Sequence, residues 1–423
     1  MVTTKSFARL CAVLIIATVA ATPSMAQISA TGAEQFEVPV NRKASEILPA
    51  ELLKGPNYQV RESVVSYGYM DHWIVDSDFG VFEVTGDGAL RALIREIYAI
   101  AALEEISKGK AFADALLDSA KQPGEFAKKM ITHPVDTVSA LPKGVYRFFE
   151  NVGTGITTKH DPSEDSRLQQ ALFVSSWKRH FAAQYGVDVY SSNKVLQEQL
   201  NKVGWASAVG QWGFSAALMP FGGTAALVIK NTRFVNGVAQ ILKEEPPSRL
   251  RIINNDKLSA MGIKKKLRKA FLDHPIYTPR QDTIIVAALA DLKDSRGRHK
   301  FIEAALSAED EVSATFFMNI AQTLQGYNET VSPIEDISLD SGVTIARAEN
   351  GRALIPFPLD HGVWTERASD TIRHMKQTYE ADGFQGNFDF WITGTVTPRA
   401  QNELASMGLE VNENVDEKIG FLD

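Results

Sequence analysis

The chain has 423 residues, 44% hydrophobic and 22% charged, and a net charge of −7. Those proportions belong to a folded, water-soluble protein, and the length leaves room for two or three domains. The acidic balance argues against nucleic acid as the general partner. A single cysteine, Cys11, rules out a disulfide framework within the chain.

The first residues have the layout of a secretory leader. Lys5 and Arg9 supply a positive start, Leu10 to Ala21 form an apolar run, and Ser24-Met25-Ala26 ends in small residues. The run is well short of the roughly 20 residues that cross a bilayer, and Pro23 breaks it. Cleavage after Ala26 is expected, with Gln27 starting a mature chain that is periplasmic or secreted. Cys11 leaves with the leader, so thiolate metal sites and cysteine nucleophiles are not expected. Without Lys5 and Arg9 the balance is 42 basic residues against 51 acidic ones, a net −9.

Residues 27–56 are polar and without a strong period, which predicts an extended arm. In 57–86, Tyr58 to Ser66 and Trp73 to Val84 are rich in β-branched and aromatic residues. The turn-like Asp76-Ser77-Asp78-Phe79-Gly80 interrupts the second run, so a small antiparallel sheet is expected. Asp87 is a candidate cap for a helix with Leu90, Leu93, Ile94 and Ile97 on one face and Gly109 at its end. Helical patterns then follow through 330. One runs from Ser166 to Gly186 with an aromatic row of Phe173, Trp177, Phe181 and Tyr185, and another follows Asn193. Others cover Lys257 to Leu272, Thr283 to Leu292 and Phe301 to Leu324, with Gly326 as a stop.

Beyond 331 alternation replaces the helical period. Val343 to Ala348 and Arg352 to Phe357 flank Glu349-Asn350-Gly351, a hairpin signal. Thr365 and Thr397-Pro398 are helix starts, Phe388 to Ile392 a strand, and Gly408 a helix end. The expected fold class is α+β: a mainly helical central region, 87–330, between a small N-terminal antiparallel sheet and a C-terminal α+β domain, 331–423.

Chemistry-bearing motifs are sparse. Val203 to Ile229 carries no charge, and Pro220-Phe221-Gly222-Gly223 breaks it. Trp205, Trp212, Phe214 and Phe221 make it a candidate for shallow membrane insertion or ligand contact, with tightly packed buried helices as the plainer reading. His133 and Asp136 flank Pro134 and are the candidate base and orienting acid of a catalytic site, with capping and surface roles around Pro134 as the favoured, plainer reading. Lys143, Arg147, Phe148 and Phe149 form a short basic, aromatic helix. Lys264, Lys265 and Lys266, with Arg268 and Lys269, make the densest basic cluster, suited to an anionic membrane surface or simply to solvent. His180, beside the aromatic row, suggests a groove for a small apolar ligand, against which stands ordinary core packing. Asp71-His72, Asp273-His274 and Asp360-His361 are adjacent acid and imidazole pairs, but neighbours on a strand face opposite ways. Histidine spacing gives no zinc site, and no nucleophile elbow, phosphate loop or dinucleotide glycine pattern occurs, so no metal or cofactor is expected.

Thr132-His133-Pro134-Val135-Asp136-Thr137-Val138 with Pro142-Lys143-Gly144-Val145, Tyr190-Ser191-Ser192-Asn193, and Trp391-Ile392-Thr393-Gly394 with Thr397-Pro398-Arg399-Ala400 together resemble a group of uncharacterised exported proteins of Gram-negative bacteria. The resemblance spans most of the mature chain and implies export alone. The expected function is non-catalytic binding or association with the envelope, through a membrane surface or an envelope protein. The alternatives are an envelope hydrolase whose His and Asp residues meet only in the fold, and a receptor for a small apolar ligand.

Overall fold

Residues 36–67, 69–109, 174–209, 232–340 and 342–422 are described by a computed structural model. The expected leader, residues 1–26, and the start of the expected arm lie outside them. From 42 to 55, part of the expected arm, the chain forms strand β1 (Arg42–Lys43), helices α1 (Ala44–Ile47) and α2 (Ala50–Leu53), and strand β2 (Lys54–Gly55). Only Ala44 and Leu52 are buried there, too few apolar positions to write a period into the sequence.

Strands β3 (Tyr58–Val60), β4 (Ser63–Tyr67), β5 (Met70–Ser77) and β6 (Gly80–Thr85) complete an antiparallel sheet centred on β5. Alternation along β5 buries Asp71, Trp73 and Val75 on one face. Against that face lies α3 (Asp87–Lys108). Its first half, with Leu90, Leu93, Ile94 and Ile97, completes the core of the sheet. Its second half, with Ile100, Leu103 and Ile106, packs on α4 (Val174–Gln184) and α5 (Lys194–Val209). Asp87 is not the cap of α3 but its first residue. Gly86, at φ 105°, stands at the cap, and the Asp87 carboxylate turns to the Trp73 indole instead.

Asn193 caps α5 as expected, accepting from the amides of Val195 and Leu196. At Gly204 α5 comes so close to α4 that a Cβ would lie 3.1 Å from Val174 Cγ1. The helical region continues as α6 (Arg233–Glu244), α7 (Pro247–Ala260), α8 (Lys265–Leu272), α9 (Pro279–Asp291), α10 (Arg298–Ala305) and α11 (Glu311–Thr330). Two single helices expected from periodicity are therefore pairs. Gly262, at φ 77°, separates α7 from α8, and Asp310, accepting from the Ser313 amide at 2.8 Å, starts α11 afresh. Gly326 does not stop α11; its bare Cα makes room for Ile419, whose Cδ1 would stand 2.2 Å from a Cβ.

The C-terminal sheet contains β7 (Ile334–Asp340), β8 (Val343–Ala348), β9 (Ala353–Phe357), β11 (Phe388–Ile392) and β13 (Leu409–Asn412), in the order β13-β11-β9-β8-β7. Helices α12 (Glu366–Ala381) and α13 (Pro398–Ser406) are the crossovers between parallel β9, β11 and β13. Thr365 and Thr397 cap them by accepting from the amides of Ala368 and Ala400. A two-stranded parallel ribbon, β10 (His361–Gly362) with β12 (Thr395–Val396), sits beside the sheet, and α14 (Val415–Ile419) closes the described chain. The architecture is α+β. One sheet face, with Phe388, Phe390 and Ile392, packs on Met375, Tyr379 and Leu404. The other carries Ile337, Leu354 and Trp391 into a core continuous with α9 and α11, so the boundary expected at 331 falls inside one hydrophobic core.

Candidate functional site

The inward face of β5 and the start of α3 put two carboxylates, Asp71 and Asp87, at one end of the N-terminal sheet. Asp360, just before β10, arrives from the C-terminal unit. Carboxylate oxygens of the three lie within 4.8 Å of one another. Asp360 Oδ2 accepts from the Asp71 amide (2.7 Å), and Oδ1 from the Asp87 amide (3.0 Å). Asp71 is paired with Arg42 of β1 and accepts from the Ser66 hydroxyl. Asp87 Oδ1 accepts from Trp73 Nε1 at 3.0 Å. The backbone beneath Asp360 demands glycine at 394, where a Cβ would fall 2.1 Å from the Asp360 carbonyl oxygen. Gly394 thus gives physical meaning to the Trp391 to Gly394 motif.

Of the three carboxylates only Asp71 is paired directly with a guanidinium, that of Arg42, in a place largely closed to water. Burial, then the charge of Asp71, pushes Asp87 up to about 6, against the pull of Arg91. Burial, then the charge of Asp87, holds Asp360 well above its ordinary value. His361 is shifted down, by burial first and Arg42 second, and its Nδ1 lies 3.1 Å from Thr395 Oγ1. The trio has the spacing of a cation site. However, both oxygens of Asp360 are engaged by backbone amides and Arg42 already supplies a positive charge, so the groups are arranged to hold a proton.

Asp87, Asp360 and His361 also line a cleft of about 1040 Å³ between β6, α3, α5, α11 and the C-terminal unit. Carboxylates outnumber lysine and arginine side chains on its walls by ten to five. Further along α3, Glu96 accepts from Asn193 Nδ2 at 2.9 Å and is pushed up by burial to about 7. Asp188 nearby is raised by burial, with Arg280 Nε at 4.0 Å opposing the shift. A second, apolar cavity of about 80 Å³ lies in the C-terminal unit, bounded by Phe357, Trp364, Met375 and Phe390.

No protein-family model, curated protein or solved structure matches this chain.

Of the residues singled out in the sequence, His133, Asp136, Lys143, Arg147, Phe148, Phe149, Trp212, Phe214 and Phe221 lie outside the described residues. Trp205 is partly buried against the α3–α4–α5 core, and Val203, Ala206 and Ala208 beside it are buried, so the described start of the charge-free run is a packed helix face. No helix among the described residues is long and apolar enough to cross a membrane. Trp177, Phe181 and Tyr185 are core, and His180 stacks edge-on against Trp177, so the described part of that row is a packed helix face. Lys264, Lys265 and Lys266 are exposed at the start of α8 and pair with no described residue.

The residues that do converge, Arg42, Asp71, Asp87, Glu96, Asp360 and His361, were not candidates. Three of them, Asp71, Asp360 and His361, belong to the adjacent acid and imidazole pairs. The objection to those pairs holds locally, because His72 turns away to Thr85 and Glu83. What it leaves out is that Asp71 and Asp360 meet each other across 289 positions of sequence.

Proposed function

We propose that this chain is an exported, non-catalytic binding protein that takes a ligand bearing ammonium or guanidinium groups into the cleft between its two units. The carrying observation is the excess of carboxylates on the walls, with Asp87 and Glu96 desolvated enough to titrate near 6 and 7. A carboxylate stripped of water has lost its favourable partners, and a cation placed against it restores them and displaces a proton. Export rests on the leader pattern of residues 1–26. Contact with an anionic envelope surface is assigned to Lys264, Lys265 and Lys266.

Titration calorimetry of the chain from Gln27 tests the ligand class, using spermidine, a short Lys/Arg peptide and their neutral and anionic counterparts. Selective uptake of the cations, weakened about tenfold (about 1.4 kcal/mol) by Glu96→Gln, supports the reading. Indifference to charge, or no uptake of any probe, removes it.

One observation favours hydrolysis as a second reading. A histidine shifted toward its neutral form, His361, and a carboxyl titrating near 6, Asp87, line the same cleft, as a general base and acid would. Turnover of ester, phosphoester or peptide probes that disappears in His361→Asn, with cation binding retained, would promote it above the first.

A further inference from the structure

A single carboxyl group clamps two remote parts of the chain. Asp360 uses both oxygens as acceptors, one for the amide of Asp71 inside β5 and one for the amide of Asp87, the first of α3. Its own amide donates to the Tyr69 carbonyl at 2.9 Å. It therefore caps a helix that begins 273 residues earlier, where amides without helical partners and the helix dipole both favour an acceptor. Neighbouring contacts are of a different kind. The Glu37 carboxylate accepts from the Trp364 amide and the Thr397 hydroxyl, and Arg91 pairs with Asp416. These hold the units together when the clamp itself gives.

We propose that this joint is a proton-operated latch, in which one proton shared between the carboxyls of Asp360 and Asp87 keeps the clamp closed and its loss loosens the contact. The inference goes beyond the binding reading and stands whether or not a ligand enters the cleft.

Charge and geometry carry it. A protonated Asp360 still offers an acceptor on each oxygen to the two amides, while the proton removes one of three negative charges whose oxygens lie within 4.8 Å of one another. Without that proton, three negative charges lie together where water screens little, with only Arg42 in direct contact with one of them. Asp71 faces Asp360 from β5 and Asp87 from the start of α3; Arg42 of β1 and Arg91 of α3 oppose the repulsion at Asp87. His361, alongside, feels Arg42, Asp71, Glu37 and Glu413. A carboxyl raised in the fold contributes stability that is complete below its ordinary value, 3.8, and is lost as pH rises through the folded one. For Asp87 that loss runs from about 4 to about 6, and Asp360, also held well above its ordinary value by burial and by Asp87, contributes in the same direction.

Amide hydrogen exchange of the mature chain between pH 5 and 8 reads the latch at the amides of Asp71 and Asp87, each rate divided by its intrinsic rate at the same pH. Protection should fall by about tenfold or more across that range in the wild type. Buried amides of β11 should hold theirs. In Asp87→Asn, where the amide oxygen still accepts from Trp73, protection should stay high to pH 8. In Asp360→Asn, whose Nδ2 cannot accept, one amide should be unprotected at every pH. Flat protection in the wild type overturns the latch, as does an unchanged pH response in Asp87→Asn. Because the wild-type profile alone decides the first outcome, a variant that fails to fold does not rescue the idea.

Discussion

Two buried carboxylates of the C-terminal unit, Asp389 and Asp360, are partnered in different ways. Asp389, inside β11, receives Arg352 Nε on both oxygens at 2.7 and 2.8 Å and the Tyr327 hydroxyl at 2.7 Å. Arg352, held above its ordinary value by Asp389, reaches on to the exposed Glu410. There the buried charge has a cation of its own. Asp360 is equally buried, yet in its trio only Asp71 is paired directly with an arginine, and the other two carboxyls shift upward. Depth is the same in both places; what differs is the partner, a guanidinium in direct contact with Asp389 and two backbone amides on Asp360.

The comparison breaks most visibly at Arg352. Arg352→Met strands Asp389 with the Tyr327 hydroxyl alone, and a loss of about 3 kcal/mol is expected in urea unfolding. A loss below about 1 kcal/mol would mean that the guanidinium is not what keeps Asp389 buried.

Neutralising the crowded group should act with the opposite sign. Moving a carboxyl from 3.8 to about 6 corresponds to roughly 3 kcal/mol, an upper bound because Asp87 still faces the cleft. Asp87→Asn is therefore expected to stabilise the protein by about 1–2 kcal/mol at pH 8. At pH 4, where the wild type already holds its proton, the gain should shrink to about 0.5 kcal/mol or less. Unfolding curves at the two pH values check this, and equal effects at both would erase the contrast with Asp389.

The smallest effect on stability belongs to charges in open water. Replacing Lys264, Lys265 and Lys266 by Glu should move stability by about 0.5 kcal/mol or less, upward if at all, because acidic groups suit the start of a helix better than cations do. Flotation with anionic liposomes is the informative readout: association of the wild type at low salt that the triple variant lacks. If neither floats, the lysines are a solvated face.

Much of the fold was legible before any coordinates. The α+β class, the β5–β6 hairpin, the caps at Asn193, Thr365 and Thr397, and the strand Phe388 to Ile392 all rest on neighbours within a few positions. Misreadings arose where distant contacts took over. Asp87 gave up the capping role because Trp73 claims its carboxylate and Gly86 does the turning. Gly326 continues its helix because Ile419 needs the space.

The candidate site was almost wholly illegible. Periodicity, capping and turn chemistry are local and repeat along the chain, so the amino-acid order by itself determined which segments coil, alternate or bend. Which carboxylates face one another is a matter of packing: Asp71, Asp87 and Asp360 become one titrating group only when a sheet, a helix start and a glycine-crowded loop close water out between them. Desolvation has no spacing in sequence, and only the tertiary structure decided it.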